Sequence, residues 1–312
     1  MNLKQLEYFV RVAELGSFSK AARVLDIAQP ALSRQVRALE ADLRETLLLR
    51  DGRGVRMTPG GQRLFEHGVA ILQAVARARD ELDASRDEPS GHIVVGMPPS
   101  LARLLTVPLI EAFGQRLPRA RLAVVEGLSA HIAEWVVTGR VDVALLYDPE
   151  PLAELDTLPL HEETLALVEP ARGAAAGTAV APTATLRELA RQPLVVPERA
   201  HTFRRRLEAQ AAQAGVKLAI AWEVSSVPCI IDLVCAGHGC AVLTPSAVAA
   251  SPRRTELRVR PIVEPPLRTV LSLATSARRR PTPLVTRVLA LLRELARVAN
   301  GGESPQPAER AR

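Results

Sequence analysis

Apolar positions in the first sixty residues recur at helical spacing. Leu6, Phe9, Val10 and Ala13 fall on one face of a short helix. Gly16 stands where that helix would end, since glycine accepts the left-handed conformation of a C-terminal cap. Ser17-Phe18-Ser19 opens a second helix, and either serine suits its cap. Ala21 and Ala22 are small enough for close helix packing, and Asp26-Ile27-Ala28 makes a turn. A third helix opens at Gln29-Pro30, where proline loses no hydrogen bond. Leu32, Val36, Leu39 and Leu43 then form an apolar stripe, with Pro30, Ser33, Arg34 and Arg37 on the opposite face. Leu47–Arg50 and Val55–Met57 read as two short strands around Asp51-Gly52-Arg53-Gly54. Thr58-Pro59 starts one long helix reaching residue 88. Along it Leu64, Gly68, Ile71, Val75, Ala78 and Leu82 keep the alternating steps of a heptad seam.

The pattern changes after Asp87-Glu88-Pro89-Ser90-Gly91. Strand-like runs at Ile93–Gly96, Leu122–Glu126, Val143–Tyr147, Thr164–Val168, Leu194–Val196, Ala219–Val224, Cys240–Leu243 and Val270–Ala274 alternate with helical stretches. That alternation predicts an α/β fold with mostly parallel sheets, in two blocks that form two lobes around a cleft. The end of the chain, from Asn300, is polar and rich in helix breakers, which predicts a flexible tail.

Composition narrows the function classes. The chain has 312 residues, 47% hydrophobic, enough for two or three domains with real cores. Net charge is +6, which favours nucleic acid or another anionic surface. Up to Gly61 ten basic residues face seven acidic ones, and the bases concentrate on the third helix and the strand pair. The N-terminus lacks a signal-peptide pattern and no apolar run is long enough to span a bilayer, so the expected compartment is the cytoplasm, with no membrane partner. Cys229, Cys235 and Cys240 lack metal or redox spacing and read as buried, reduced thiols. The six histidines are scattered, and no nucleophile elbow, phosphate loop or dinucleotide fingerprint is present. No catalytic residue, cofactor or metal is expected.

The third helix carries the candidate chemistry. A hydroxyl and two guanidiniums near a helix N-terminus suit the major groove, where arginine grips guanine through two hydrogen bonds. A solvated helix face would look the same in isolation; the order of helix, turn, proline-started helix and wing gives it meaning. Leu6-Glu7-Tyr8-Phe9, Gly16-Ser17-Phe18-Ser19, Ala21-Ala22, Gln29-Pro30-Ala31-Leu32-Ser33, Leu39-Glu40 and Thr58-Pro59-Gly60-Gly61 closely resemble the N-terminal domain of LysR-type transcriptional regulators. That pattern usually has glycine where Arg44 stands. Resemblance continues, less specifically, to about Ala299. The opening Gly96-Met97-Pro98-Pro99-Ser100 is most similar to the nitrogen-assimilation-control branch.

The resemblance implies a winged helix-turn-helix at 1–58 (helix-turn-helix about 18–37) and a linker and dimerisation helix at 59–88. It also implies a two-lobed effector domain like a periplasmic binding protein at 89–299, before the tail 300–312. Lobe I would hold 91–161 and 265–299, lobe II 162–264. The implied function is regulation through double-stranded DNA, modulated by a small metabolite, in a homodimer or homotetramer. RNA polymerase is a further partner if the protein activates. Gln29, Pro30, Ser33 and Arg34 would meet bases and Arg53 the minor groove, with Ser17, Ser19, Arg37 and Arg50 also at the DNA.

Ligands in α/β sheets sit beyond the carboxyl ends of strands, where helix N-termini favour anions. Ser100, Ser129 and Ser226 stand at such junctions, Thr202 and Phe203 open another helix, and Tyr147 ends a strand. Each serine is equally at home as a simple helix cap. Two other readings stay open on the residues alone. The missing signal peptide and the wing oppose a solute-binding protein. The missing nucleophile–base motif opposes an enzyme on the same scaffold.

Overall fold

The computed structural model describes residues 1–51, 54–83, 89–171 and 181–299. Arg53, residues 84–88, the side chain of Leu82 and the expected tail 300–312 lie outside them. The chain divides into two compact units that part near residue 84.

The first unit contains α1 (Leu3–Leu15), α2 (Phe18–Val24), α3 (Gln29–Leu43), β1 (Leu48–Asp51), β2 (Gly54–Met57) and α4 (Pro59–Asp83). Asn2 caps α1 by accepting from the Gln5 amide, while the Gln5 side chain accepts from the Asn2 amide. Gly16, at φ +59°, ends the helix in the left-handed region. Phe9, Leu32 and Leu39 are fully buried at the centre of this unit, joined by Leu6, Val12, Val36 and Leu47. The α3 stripe is shorter than its spacing predicts: Leu43 is 39% exposed, because the helix ends beside it.

Several backbone groups converge where α3, the wing and α4 meet. One oxygen of Glu40 accepts from the amides of Leu47 and Leu48 at 2.9 and 3.1 Å. The Thr58 hydroxyl donates to the Thr46 carbonyl at 2.7 Å and accepts from the Gly61 amide at 2.9 Å. Gly61 lies against Leu47, and a Cβ there would sit 2.1 Å from the Leu47 carbonyl oxygen. The run Thr58-Pro59-Gly60-Gly61 is therefore a helix start that must also pass close to a strand.

α4 corrects part of the expected seam. Leu64 packs on the first unit's own core, and a Cβ at Gly68 would touch Leu6 and Val10 of α1 at 3.0 Å. Periodicity alone does not separate a stripe buried in its own domain from one awaiting a partner. The seam positions left at the surface are Ile71, 38% exposed, Ala78, and the half-buried Val75.

The second unit holds two sheets. The first runs β4 (Ala120–Glu126), β3 (Gly91–Met97), β5 (Val143–Tyr147), β13 (Arg268–Ser276), β6 (Leu155–Thr164). Helices α5 (Pro99–Arg116), α6 (Ser129–Thr138) and α11 (Pro283–Ala299) accompany it. The second contains β11 (Ala241–Leu243), β7 (Ala166–Pro170), β12 (Leu257–Glu264) and β8 (Ala184–Thr185). A bridge between Leu194 and Cys240 attaches β9 (Leu194–Val196) and its neighbour β10 (Ile220–Glu223) to the free side of β11. Its helices are α7 (Leu186–Leu189), α8 (Thr202–Gln213), α9 (Val227–Cys235) and α10 (Pro245–Ala249).

These sheets are mixed rather than mostly parallel. β13 runs antiparallel to both β5 and β6, and β7 antiparallel to β11 and β12. The expected strand Thr164–Val168 is really the junction of two strands. β6 shows little apolar alternation because it is an edge strand, mostly exposed and interrupted by Pro159. β12 hides its character because Arg260 is buried, satisfied by Glu188, Glu169 and the carbonyls of Ala181 and Thr183. The chain crosses between the sheets twice, side by side: Leu165 donates to the Leu267 carbonyl and accepts from the Ile262 amide. The cysteines also depart from expectation. Cys240 is buried and Cys235 half-buried, but Cys229 is exposed, lying outside the α9 stripe of Val227, Ile230, Ile231 and Val234.

Arg44 ends α3 at φ +52°, where glycine carries no steric cost. Arg44→Gly is expected to stabilise the first unit by about 0.5–1 kcal/mol despite the entropy glycine adds to the unfolded chain. Urea unfolding of the full chain, followed by hydrogen exchange in α1 and α3, checks this; a loss of stability would contradict it.

Candidate DNA interface and effector cleft

The first unit presents α3 with Gln29, Pro30, Arg34 and Arg37 exposed and Ser33 half-buried. Leu32, Val36 and Leu39 hold the opposite face in the core, so burial itself orients these side chains outward. Ala28, the N-cap, offers no side chain to the first-turn amides of α3. The Ser19 hydroxyl donates to Gln29 Oε1 at 3.3 Å, which ties α2 to the start of α3. Ser17 is the one of the two expected serines that caps α2: its hydroxyl accepts from the Lys20 amide. Arg50 is also engaged within the protein, stacked on Phe18 and donating to Ser33. The expected role of Arg53 falls outside the described residues.

In the second unit, the residues singled out from the sequence meet in one place. Ser100, Ser129, Tyr147, Thr202 and Phe203 line a common cavity, together with His201. Ser226 is not among its lining residues; its neighbour Val227 is, because α9 turns that next position inward. The N-termini of α5, α6, α8 and α9 supply this lining, so their partial positive charges converge there. The Ser129 hydroxyl accepts from the Tyr147 amide at 3.0 Å.

The cavity measures about 20 Å³, the space of roughly one water molecule. Three contacts join α8 to Tyr147 and the residues that follow it. The Tyr147 and Phe203 rings meet edge to face at 5.1 Å. Arg206 pairs with Asp148 at 3.0 Å, and Arg205 with Glu150 at 2.6 Å. Asp148 is held in turn by the Thr269 hydroxyl and the Val270 amide, both on β13.

Behind the cleft, the Tyr147 hydroxyl donates to Glu163, a buried carboxylate that also accepts from the Ser246 hydroxyl. Burial, reinforced by the Glu163 charge, pushes the Tyr147 phenol well above its ordinary range. Tyr147 is thus a neutral donor at physiological pH. His201 was missed from the sequence, where its isolation from other histidines argued against a site. Its informative signal was position: it precedes Thr202 and caps α8, its Nδ1 accepting from the Phe203 amide at 3.3 Å. Loss of water around the imidazole lowers its pKa to about 4.

Similarity to known proteins identifies both parts of the chain. Residues 3–62 match the bacterial regulatory helix-turn-helix protein, lysR family, and residues 86–297 match the LysR substrate binding domain. The nitrogen assimilation regulatory protein nac of Klebsiella aerogenes is 30% identical over 298 residues, covering 95% of each chain. The HTH-type transcriptional regulator BbuR of Bordetella bronchiseptica is 30% identical over 303 residues, 96% of this chain and 92% of its own. Among solved structures, CbnR, a LysR family transcriptional regulator, has a TM-score of 0.72 at 23% identity, covering 95% of this chain and 99% of its own. A full-length OxyR variant from Pseudomonas aeruginosa has a TM-score of 0.68 at 25% identity, covering 98% of this chain and 99% of its own. The chain belongs to the LysR family of DNA-binding transcriptional regulators, with a substrate-binding effector domain, and is not an enzyme. Among the described residues, no helix is long and apolar enough to cross a membrane.

His201 gives a pH prediction. Between about pH 6.5 and 4 the unfolded chain binds a proton at this residue that the folded protein refuses. Stability contributed here is therefore complete above that window and falls as pH drops through it, by at most about 1.4 kcal/mol per unit. His201→Gln should flatten the wild-type acid slope over this interval in full-chain denaturant titrations. Parallel curves for the two proteins would refute the buried, neutral imidazole.

Proposed function

We propose that α3 reads the major groove through Gln29, Pro30, Ser33 and Arg34, with Arg37 on the sugar–phosphate backbone. The supporting observation is the exposed polar face of α3 opposite a fully buried stripe, within a chain of this family. The uncapped first turn of α3 suits a DNA phosphate as well. Arg53 belongs to the same reading, as the minor-groove contact of the wing tip. The domain limits follow as 1–58 for DNA binding, 59–88 for the linker helix, and 89–299 for effector binding. Lobe I would comprise 91–161 and 265–299, and lobe II 162–264.

The effector is a small anion held where four helix N-termini converge, against Ser100, Ser129, Tyr147, Thr202 and Phe203. Neutral His201 adds an N–H donor without adding charge, while Tyr147, whose hydroxyl hydrogen goes to Glu163, contributes its ring. The protein acts as a homo-oligomer paired through the outer face of α4, at Ile71, Val75 and Ala78. RNA polymerase is a further partner when the bound state activates, and the cytoplasm is its place of work.

Footprinting on the DNA upstream of the protein's own gene, with excess random competitor, is the direct test. Protection of a two-fold symmetric site is expected; no protection on any genomic fragment would overturn the DNA reading. On that site Arg34→Ala should cost roughly 1–3 kcal/mol and relax preference at one base pair. An equal loss on random DNA would reassign Arg34 to a phosphate. Ser100→Trp should fill the cleft and abolish the response to every metabolite that shifts wild-type melting, with DNA affinity intact. A normal response from this variant would sink the cleft assignment.

A further inference from the structure

A single side chain connects the wing to the recognition face. Arg50, on β1, lays its guanidinium carbon 3.9 Å from the centre of the Phe18 ring. Its Nη2 donates to Ser33 Oγ on α3 at 2.7 Å. Phe18 is buried and fixed in the core, so the stack holds the guanidinium in one plane before any DNA arrives. The cross-strand partner of Arg50 is Val55, whose amide donates to the Gly16 carbonyl at 2.9 Å, so the strand beneath it is anchored too.

We propose that Arg50 is a positioning residue for sequence readout: it acts through Ser33, turning that hydroxyl into a hydrogen-bond donor aimed at the DNA. This rests on α3 being the recognition helix. A hydroxyl has one hydrogen and two lone pairs. The cationic N–H of Arg50 occupies one lone pair and draws electron density from the oxygen. That weakens Ser33 as an acceptor and strengthens its O–H as a donor. Among the described residues, no acceptor for that O–H is present. A donor here is matched by guanine O6 or N7, adenine N7 or thymine O4, and gains nothing from the amino group of cytosine. The alternative, direct contact of Arg50 with a phosphate, makes different demands: the guanidinium would contribute charge, not selectivity.

The two roles separate in a binding experiment on the full chain. The probe is a duplex that the wild type enriches from a randomised pool, with versions in which each base pair is replaced in turn. Arg50→Met keeps an apolar stem on Phe18 and removes the donor; Ser33→Ala removes the acceptor with little risk to folding. Each is expected to lower discrimination at the same one base pair by roughly threefold to thirtyfold. The double variant should lose no more than either single one, and the log–log salt slope should stay at the wild-type value. Additive losses, equal weakening on every duplex, or a slope shallower by about 0.9 for Arg50→Met would overturn the proposal. If the wild type enriches no duplex, the DNA reading falls as a whole. If Arg34→Ala loses discrimination and Arg50→Met and Ser33→Ala do not, only this inference falls.

Discussion

The Leu47–Leu48 backbone must be satisfied where three elements meet, and the first unit is organised around that need. These amides leave one helix and enter a strand pair with no partners of their own. One oxygen of the Glu40 carboxylate, in the last turns of α3, accepts from both. Because the same helix carries Ser33 and Arg34 seven and six residues earlier, the strand pair is registered to the outward polar face of α3 through that helix. Thr58 and Gly61 close the junction from the other side and set where α4 begins. An unpaired amide at such a buried junction is costly, so the polar residues here are as structural as the leucines beside them.

The second unit meets a different constraint. Its two sheets are joined by two neighbouring crossings that bond to each other, so the connection between them is short and backbone-defined. Apart from Tyr147, which ends β5, the residues that line the cleft sit at helix starts. Tyr147 contributes twice: its ring meets Phe203 in the cleft, and its hydroxyl reaches Glu163 on the far side. Asp148, the next residue, is locked to β13 while pairing with Arg206. Adjacent residues at the end of β5 thus link the cavity lining to β13.

Much of this was legible in the sequence, for identifiable reasons. Pro30 and the stripe Leu32, Val36, Leu39 located α3 and its outward face, because helix periodicity fixes both sides at once. Serines and threonines at strand-to-helix junctions found the cleft lining, because the fold puts those junctions together. Ser226 failed by one position, since spacing does not give the rotation at which a helix starts. Gly68 and Leu64 fitted a heptad but serve their own domain; the pattern records which face is buried and not by what. β6 and β12 escaped because an edge strand need not alternate, and because a buried arginine looks exposed until its carboxylates are placed. Arg44 was visible as a departure from glycine, but only its positive φ explains why the position favours glycine.

The closed cleft has a kinetic consequence. If the effector is held there as proposed, a space for one water must widen before a metabolite enters, so binding draws on an open form. Apparent affinity is then the intrinsic affinity scaled by the fraction of time spent open. The rate of association reaches a ceiling set by lobe opening, however concentrated the ligand.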